Sequence, residues 1–169
     1  MIDYKKEIIF NSALYVAARL PKEECRLHKV FKILWFADME HLKKYGRTVT
    51  GATYTARPHG PVPLVLYDEI NKGKSIFKRY DKGPKEKGFL IPLKKANEFF
   101  LSETDKEELD AAIEKYKGET FNSLKSLSHK SAYESTNLDE EISLSAILEE
   151  INASEELREY IRENNLVEA

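Results

Sequence analysis

The chain has 169 residues, 41% hydrophobic and 33% charged, with a net charge of −2 and a single cysteine. That length suits one domain with its own core, and no apolar run approaches a membrane span. Cys25 alone excludes an internal disulfide and a cysteine-built metal cage; the charged N-terminus lacks a signal peptide's apolar centre, so cytoplasmic residence is expected.

Charge is unevenly spread. From Lys72 to Lys95 nine Lys/Arg face two acids, and from Asn137 to Ala169 ten acids face two Arg. Such a split marks either a partner surface or segments that solvate or pair with each other.

Tyr4 to Leu20 is predicted as the first helix, with Ile9, Ala13, Val16, Ala17 and Leu20 on one face and Pro21 closing it. The strongest pattern runs from about Arg26 to Tyr45. There Leu27, Phe31, Leu34, Asp38, Leu42 and Tyr45 step by three or four along one stripe. Asp38 therefore falls on a face that its neighbours bury, and His41 lies one turn on, within reach of it. Lys29, Lys32, Lys43 and Lys44 are expected mostly on other faces, and Gly46 as a left-handed cap.

Thr48 to Arg57 reads as a loop running into a short strand, with Tyr54 and Ala56 on one side and Thr53 and Thr55 on the other. Pro58-His59-Gly60-Pro61-Val62-Pro63 reads as a rigid turn, with Pro63 opening a helix to Lys72 that buries Val65 or Leu66, Tyr67 and Ile70. Ser75–Tyr80 and Phe89–Leu93 are the arms of a β-hairpin with a long basic tip. Ser102-Glu103-Thr104-Asp105 is a capping-box pattern that opens a helix to Tyr116, with Leu109, Ala112, Ile113 and Tyr116 inward. Thr120 to Lys130 is a short helix carrying Phe121, Leu124 and Leu127. Leu144–Glu150 and a Ser154-capped helix to Asn164 complete about seven helices. The fold class is α+β, predominantly α-helical, with a small antiparallel sheet or hairpin. Residues 1–136 read as the main domain and 137–169 as an acidic helical extension packed on it.

An enzyme reading starts from Asp38, Glu40 and His41. At about 100° per residue Glu40 faces roughly 200° away from Asp38, so only Asp38 and His41 can cooperate. A metal needs a third ligand, which His59 or His129 supplies only if the fold brings it there. No HExxH pattern, phosphate-cradling loop or nucleophile elbow is present. No catalytic residue, metal or cofactor is assigned. A buried carboxylate needs partners. The candidates are His41, Thr48, Thr50, Tyr54 and amides of the Gly51 loop. Asp38 then pins the extended segment to the helix; contact with a partner is the alternative.

A nucleic-acid reading rests on Lys72, Lys74, Lys78, Arg79, Lys82, Lys85 and Lys87, interleaved with Phe77, Tyr80 and Phe89. Basic and aromatic residues together can track a phosphate backbone, but no nucleic-acid fold signature accompanies them and the chain is net acidic. It stands as an alternative, with a metal-dependent enzyme behind it. The third reading is a protein-interaction module, with a rigid Pro-Gly turn beside Tyr, Arg and His anchors.

Several blocks carry a family resemblance. They are Lys32-Ile33-Leu34-Trp35-Phe36-Ala37-Asp38, His41-Leu42-Lys43-Lys44-Tyr45-Gly46-Arg47, Thr50-Gly51-Ala52-Thr53-Tyr54, His59-Gly60-Pro61-Val62-Pro63 and Leu66-Tyr67-Asp68. Later come Leu101-Ser102-Glu103-Thr104-Asp105 and Leu127-Ser128-His129, followed by Tyr133 where the family often has Trp. In order and spacing these resemble the Panacea domain, the SocA-like antitoxin family also seen as phage-associated proteins, over about Tyr4 to Tyr133. The resemblance implies a mostly helical fold and the antitoxin half of a bacterial or phage toxin–antitoxin pair. It implies neutralisation by direct binding of a toxin encoded by a neighbouring gene, with delivery to a protease as a further role of SocA-like members. No catalytic residues carry over. The motif residues Asp38, His41, Tyr45, Arg47, Thr50, Tyr54, Arg57, His59, Pro61 and Pro63 become scaffold or partner-binding candidates. Lys74, Lys78, Arg79, Lys82, Lys85 and Lys87 form a candidate charged partner surface.

Overall fold

The computed structural model describes residues 1–164. Its first helix, α1 (Tyr4–Ala18), opens on an Asp3 side chain that accepts from the Lys6 amide. The sequence pattern predicts one buried face, but every residue from Ile9 to Ala17 is buried, Asn11 and Ser12 included. Elements pack on several sides of it, so its polar residues turn inward to backbone: Ser12 Oγ donates to the Ile8 carbonyl, and Asn11 Oδ1 accepts from the Asn97 amide.

The long helix α2 (Leu27–Tyr45) is the axis of the fold and touches α1 along its length. Gly46 ends it in the left-handed region, φ 76°, with its amide on the Leu42 carbonyl. A Cβ there would stand 2.6 Å from the ring of Tyr160, so a side chain is excluded by packing as well as by conformation.

Beyond α2, β1 (Tyr54–Arg57) pairs antiparallel with β2 (Gly60–Pro63), and α3 spans Leu64–Asn71. The sequence pattern makes 58–63 one rigid turn with Pro63 as the first helical residue. The turn is only Pro58-His59, Gly60 to Pro63 is a strand, and Pro63 is the N-cap of α3. Two prolines fit in this strand because of register. The Tyr54 carbonyl and both backbone groups of Ala56 bond to residues 139–142 on the opposite edge. Their partners across the pair, Pro63 and Pro61, therefore sit where no amide is needed.

A second antiparallel pair joins β3 (Phe77–Tyr80) to β4 (Phe89–Pro92), as the hairpin pattern predicts. Helix α4 (Glu103–Tyr116) opens on a complete capping box between Ser102 and Asp105. After α5 (Phe121–Ser128) comes a one-turn helix, α6 (Ser131–Glu134), which the sequence pattern does not reveal. Of the apolar residues that α5 carries, Leu124 is buried, while Phe121 and Leu127 are 46% and 37% exposed. The short α7 (Leu144–Glu150) and α8 (Glu155–Glu163) follow as expected, making eight α-helices among the described residues.

The core has a main body between α1 and α2, and two smaller clusters across α2. In these Trp35, Met39, Tyr54 and Ala56 meet Ile142, and Leu42 meets Leu148 and Ile161. No helix among the described residues is long and apolar enough to cross a membrane.

Candidate functional site

Asp38 is the anchor that its place on the stripe suggests. Its side chain is buried, and one oxygen accepts from the Thr50 amide at 2.8 Å. The other accepts from the Thr50 hydroxyl and the Tyr54 hydroxyl, both at 2.6 Å. Burial pushes this carboxyl up to about 6, against the lowering effect of the same hydrogen bonds. Thr48, another candidate partner, instead closes the Gly51 loop by accepting from the Gly51 amide.

His41 does not join Asp38; its partners lie elsewhere. Nδ1 is 2.7 Å from the Arg47 carbonyl, which only accepts, so Nδ1 carries the proton. Nε2 then accepts from the Thr104 hydroxyl at 2.9 Å. Burial lowers this imidazole from its ordinary value, against the raising effect of Asp105, whose Oδ1 lies 3.3 Å from Nε2. Arg47 reaches Asp105 at 2.9 Å, and Tyr45 lies over the His41 ring with centroids 4.6 Å apart. This node clips the end of α2 to the start of α4.

His28 and His59 meet elsewhere, while His129 stacks on Tyr133. Phe121 stacks on His28, with centroids 4.0 Å apart, and meets His59 edge-on. His28 and His59 line a cleft of about 830 Å³ that does not include His41. Among the described residues no group of three or more His, Cys, Asp or Glu is placed to hold a metal ion.

The cleft is strongly cationic. Its walls carry Arg26, Lys29, Lys32, Arg57, Arg79, Lys85 and Lys87 against Glu24 and Glu119. It thus joins two sets that the sequence kept apart, the motif residues Arg57 and His59 and the hairpin cations Arg79, Lys85 and Lys87. Pro61 and Pro63 are buried behind it, while Lys74, Lys78 and Lys82 are exposed outside it.

Two cleft residues depart from the helical pattern. Lys29 and Lys32, which it assigns to outer faces, are 5% and 1% exposed, because α2 is enclosed around most of its girth. Lys29 Nζ pairs with Glu24 and donates to the Lys117 carbonyl. Lys32 Nζ donates to the Pro61 carbonyl at 2.8 Å and has no carboxylate partner among the described residues. Gly60 lies beside it at φ +116°, and a Cβ there would meet Ser128 Oγ at 2.6 Å and Lys32 Cε at 2.7 Å. The signal available in the sequence was a lysine interrupting an otherwise apolar run, Phe31-Lys32-Ile33-Leu34-Trp35.

Burial brings the Lys32 ammonium down to about 7 from an ordinary 10.5. In the unfolded chain it stays charged, so above pH 7 the unfolded state binds more protons and stability rises with pH. Cys25, which burial raises to about 11 from 9.0, opposes this only above pH 9. The histidines with lowered values act below pH 6.5. Between those limits the unfolding free energy, read by urea denaturation, is expected to climb by an amount approaching about 1 kcal/mol per pH unit. Lys32→Met should flatten it; a flat profile in the unmodified chain would contradict the assignment.

A family model described as antitoxin SocA-like, Panacea domain, matches residues 30–134, more than half of the chain. The chain belongs to this family. No curated protein and no solved structure matches it. As a Panacea domain it is an antitoxin module, in a family of non-catalytic modules that act within toxin–antitoxin pairs. The matched span runs from inside α2 to the end of α6 and contains Asp38 with both of its partners, the His41 node and the cationic hairpin.

Proposed function

We propose that this Panacea domain neutralises a protein toxin, encoded by a neighbouring gene, by direct binding through the face that carries the β3–β4 hairpin. The observation that supports this is uncompensated charge. Lys74, Lys78, Arg79, Lys82, Lys85 and Lys87 are all exposed. None has a carboxylate partner among the described residues; Arg79 instead donates to Asn71. The described part of the acidic C-terminal segment does not pair with them. Its Asp139 pairs with Arg57, and its Glu155 pairs with Arg162 in the same helix. A cationic patch left open steers an acidic partner and selects against basic ones.

In this reading Asp38, His41, Thr50, Tyr54, Pro61 and Pro63 are scaffold, because they are buried. Arg57 and His59 join the contact surface, since both line the cleft beside the hairpin. The test is co-expression with the neighbouring gene product. Rescue from its toxicity and co-purification are expected. Lys78→Glu with Lys82→Glu should slow association about tenfold or more at low salt. Loss of rescue with unchanged thermal stability would support the assignment. Full binding by the double variant would move the contact surface elsewhere.

A further inference from the structure

We infer that the cleft between the β3–β4 hairpin and the start of α5 is a binding site for a nucleoside polyphosphate. The inference goes beyond the toxin reading and stands without it. Its volume of about 830 Å³ lies within the range of small-molecule sites, about 300–1,000 Å³.

The floor is cationic and unbalanced. Lys32 is buried with one hydrogen bond, to a carbonyl, and no counter-charge. His28 stands beside it with a buried Nε2 that has no hydrogen-bond partner. A buried cation is costly until an anion pairs with it. The cost falls on Lys32, which burial brings down to about 7; His28, brought down to about 3, is neutral beside it. An anion placed on this floor would offset that cost.

The rim adds further cations. Lys85 and Lys87 are exposed at one side, with Arg26 bonded to the Lys87 carbonyl beneath them. Thr120 and Phe121, at the positive end of α5, form the other side. Of the two acids of the wall, only Glu24 is paired with a cation. Glu24 pairs with Lys29, and Glu119 accepts from the Ser123 hydroxyl.

Cations alone would suit any polyanion. Phe121 narrows the class, because it lines the cleft while remaining 46% exposed. It stands among the imidazoles of His28 and His59 rather than in the apolar core. An acidic peptide would satisfy the lysines and leave this aromatic group unused. A base joined to phosphates uses both, since every base has a face to stack.

The experiment is calorimetric titration of the full chain at physiological salt with ATP, tripolyphosphate, adenosine and a glutamate-rich peptide. ATP is expected to bind about tenfold tighter than tripolyphosphate, a ratio in keeping with one stacked base. Adenosine and the peptide should bind more weakly still. Phe121→Ala should lower ATP affinity about tenfold and leave tripolyphosphate unchanged. Lys85→Ala with Lys87→Ala should weaken both. All three positions are exposed, and thermal unfolding checks that the variants remain folded. No ATP binding, equal affinity for ATP and tripolyphosphate, or a peptide that matches ATP would each overturn the inference. Failure of toxin rescue would not touch it.

Discussion

Asp38→Ala is expected to lower stability by about 3 kcal/mol or more, at roughly 1–3 kcal/mol for each buried donor left without an acceptor. Three donors converge on this carboxylate: the Thr50 amide, the Thr50 hydroxyl and the Tyr54 hydroxyl. Removing one donor is milder. Tyr54→Phe leaves the carboxylate two partners and should cost about 1 kcal/mol. The order of the two variants in urea denaturation is therefore diagnostic. If Asp38→Ala cost no more than the mild Tyr54→Phe, which keeps the ring and loses one hydrogen bond, the carboxylate's convergent hydrogen bonds would not be what holds Thr50 and Tyr54 against α2. Packing of the Tyr54 ring, which lies edge-on to Trp35, would hold them instead.

The pH profile supplies an independent reading of the same group. Burial raises Asp38 from 3.8 to about 6, so its protonated form is favoured on folding. Its contribution is present below the ordinary value and is lost as pH rises through 6. His28, lowered from 6.5 to about 3, has the opposite sign: its contribution is lost as pH falls. The two oppose each other between pH 4 and 6. Deleting Asp38 removes one side of that opposition, so stability of the Asp38→Ala variant should rise more steeply with pH across this window. An unchanged slope would mean that the carboxyl titrates at its ordinary value.

What the sequence disclosed followed from locality. The α2 stripe, the Gly46 cap and the Ser102–Asp105 capping box are each settled within a few turns of chain; the cap and the box appear as expected, and the stripe is buried from Phe31 to Leu42 while its last member, Tyr45, is 41% exposed. The Asp38 anchor was legible for the same reason, since its partners lie 12 and 16 residues on. Lys32 was misplaced because one helix pattern cannot show that a second layer covers the other face. The Pro61-Pro63 strand resembles a turn in sequence because its prolines are tolerable only once residues 139–142 have taken the opposite edge of β1. The cleft was not legible at all. It needs Lys32, His59, Lys87 and Phe121 in one place, and nothing local relates them.

Residues 139–142 also bear on where the folding unit ends, and deleting everything after Thr136 is expected to have the largest effect of any change considered. The acidic segment reads as an extension by composition, yet it supplies three backbone hydrogen bonds to β1, at Tyr54 and Ala56. Its Ile142 closes the cluster of Trp35, Met39 and Tyr54, while Leu148 and Ile161 close that of Leu42. Uncovering those four large side chains, at about 1.5–3 kcal/mol each, approaches the whole stability of an ordinary domain. A chain of residues 1–136 should therefore lose cooperative unfolding and aggregate through the freed edge of β1. Ile161→Ala is the gentler version. It is buried at 2% exposure and should cost about 2–5 kcal/mol. If the segment and the rest form one cooperative unit, this variant lowers a single midpoint for the whole chain, read alike by circular dichroism and by Trp35 fluorescence. A separable extension would instead give two transitions, with the Trp35 signal unmoved, and a soluble, folded 1–136.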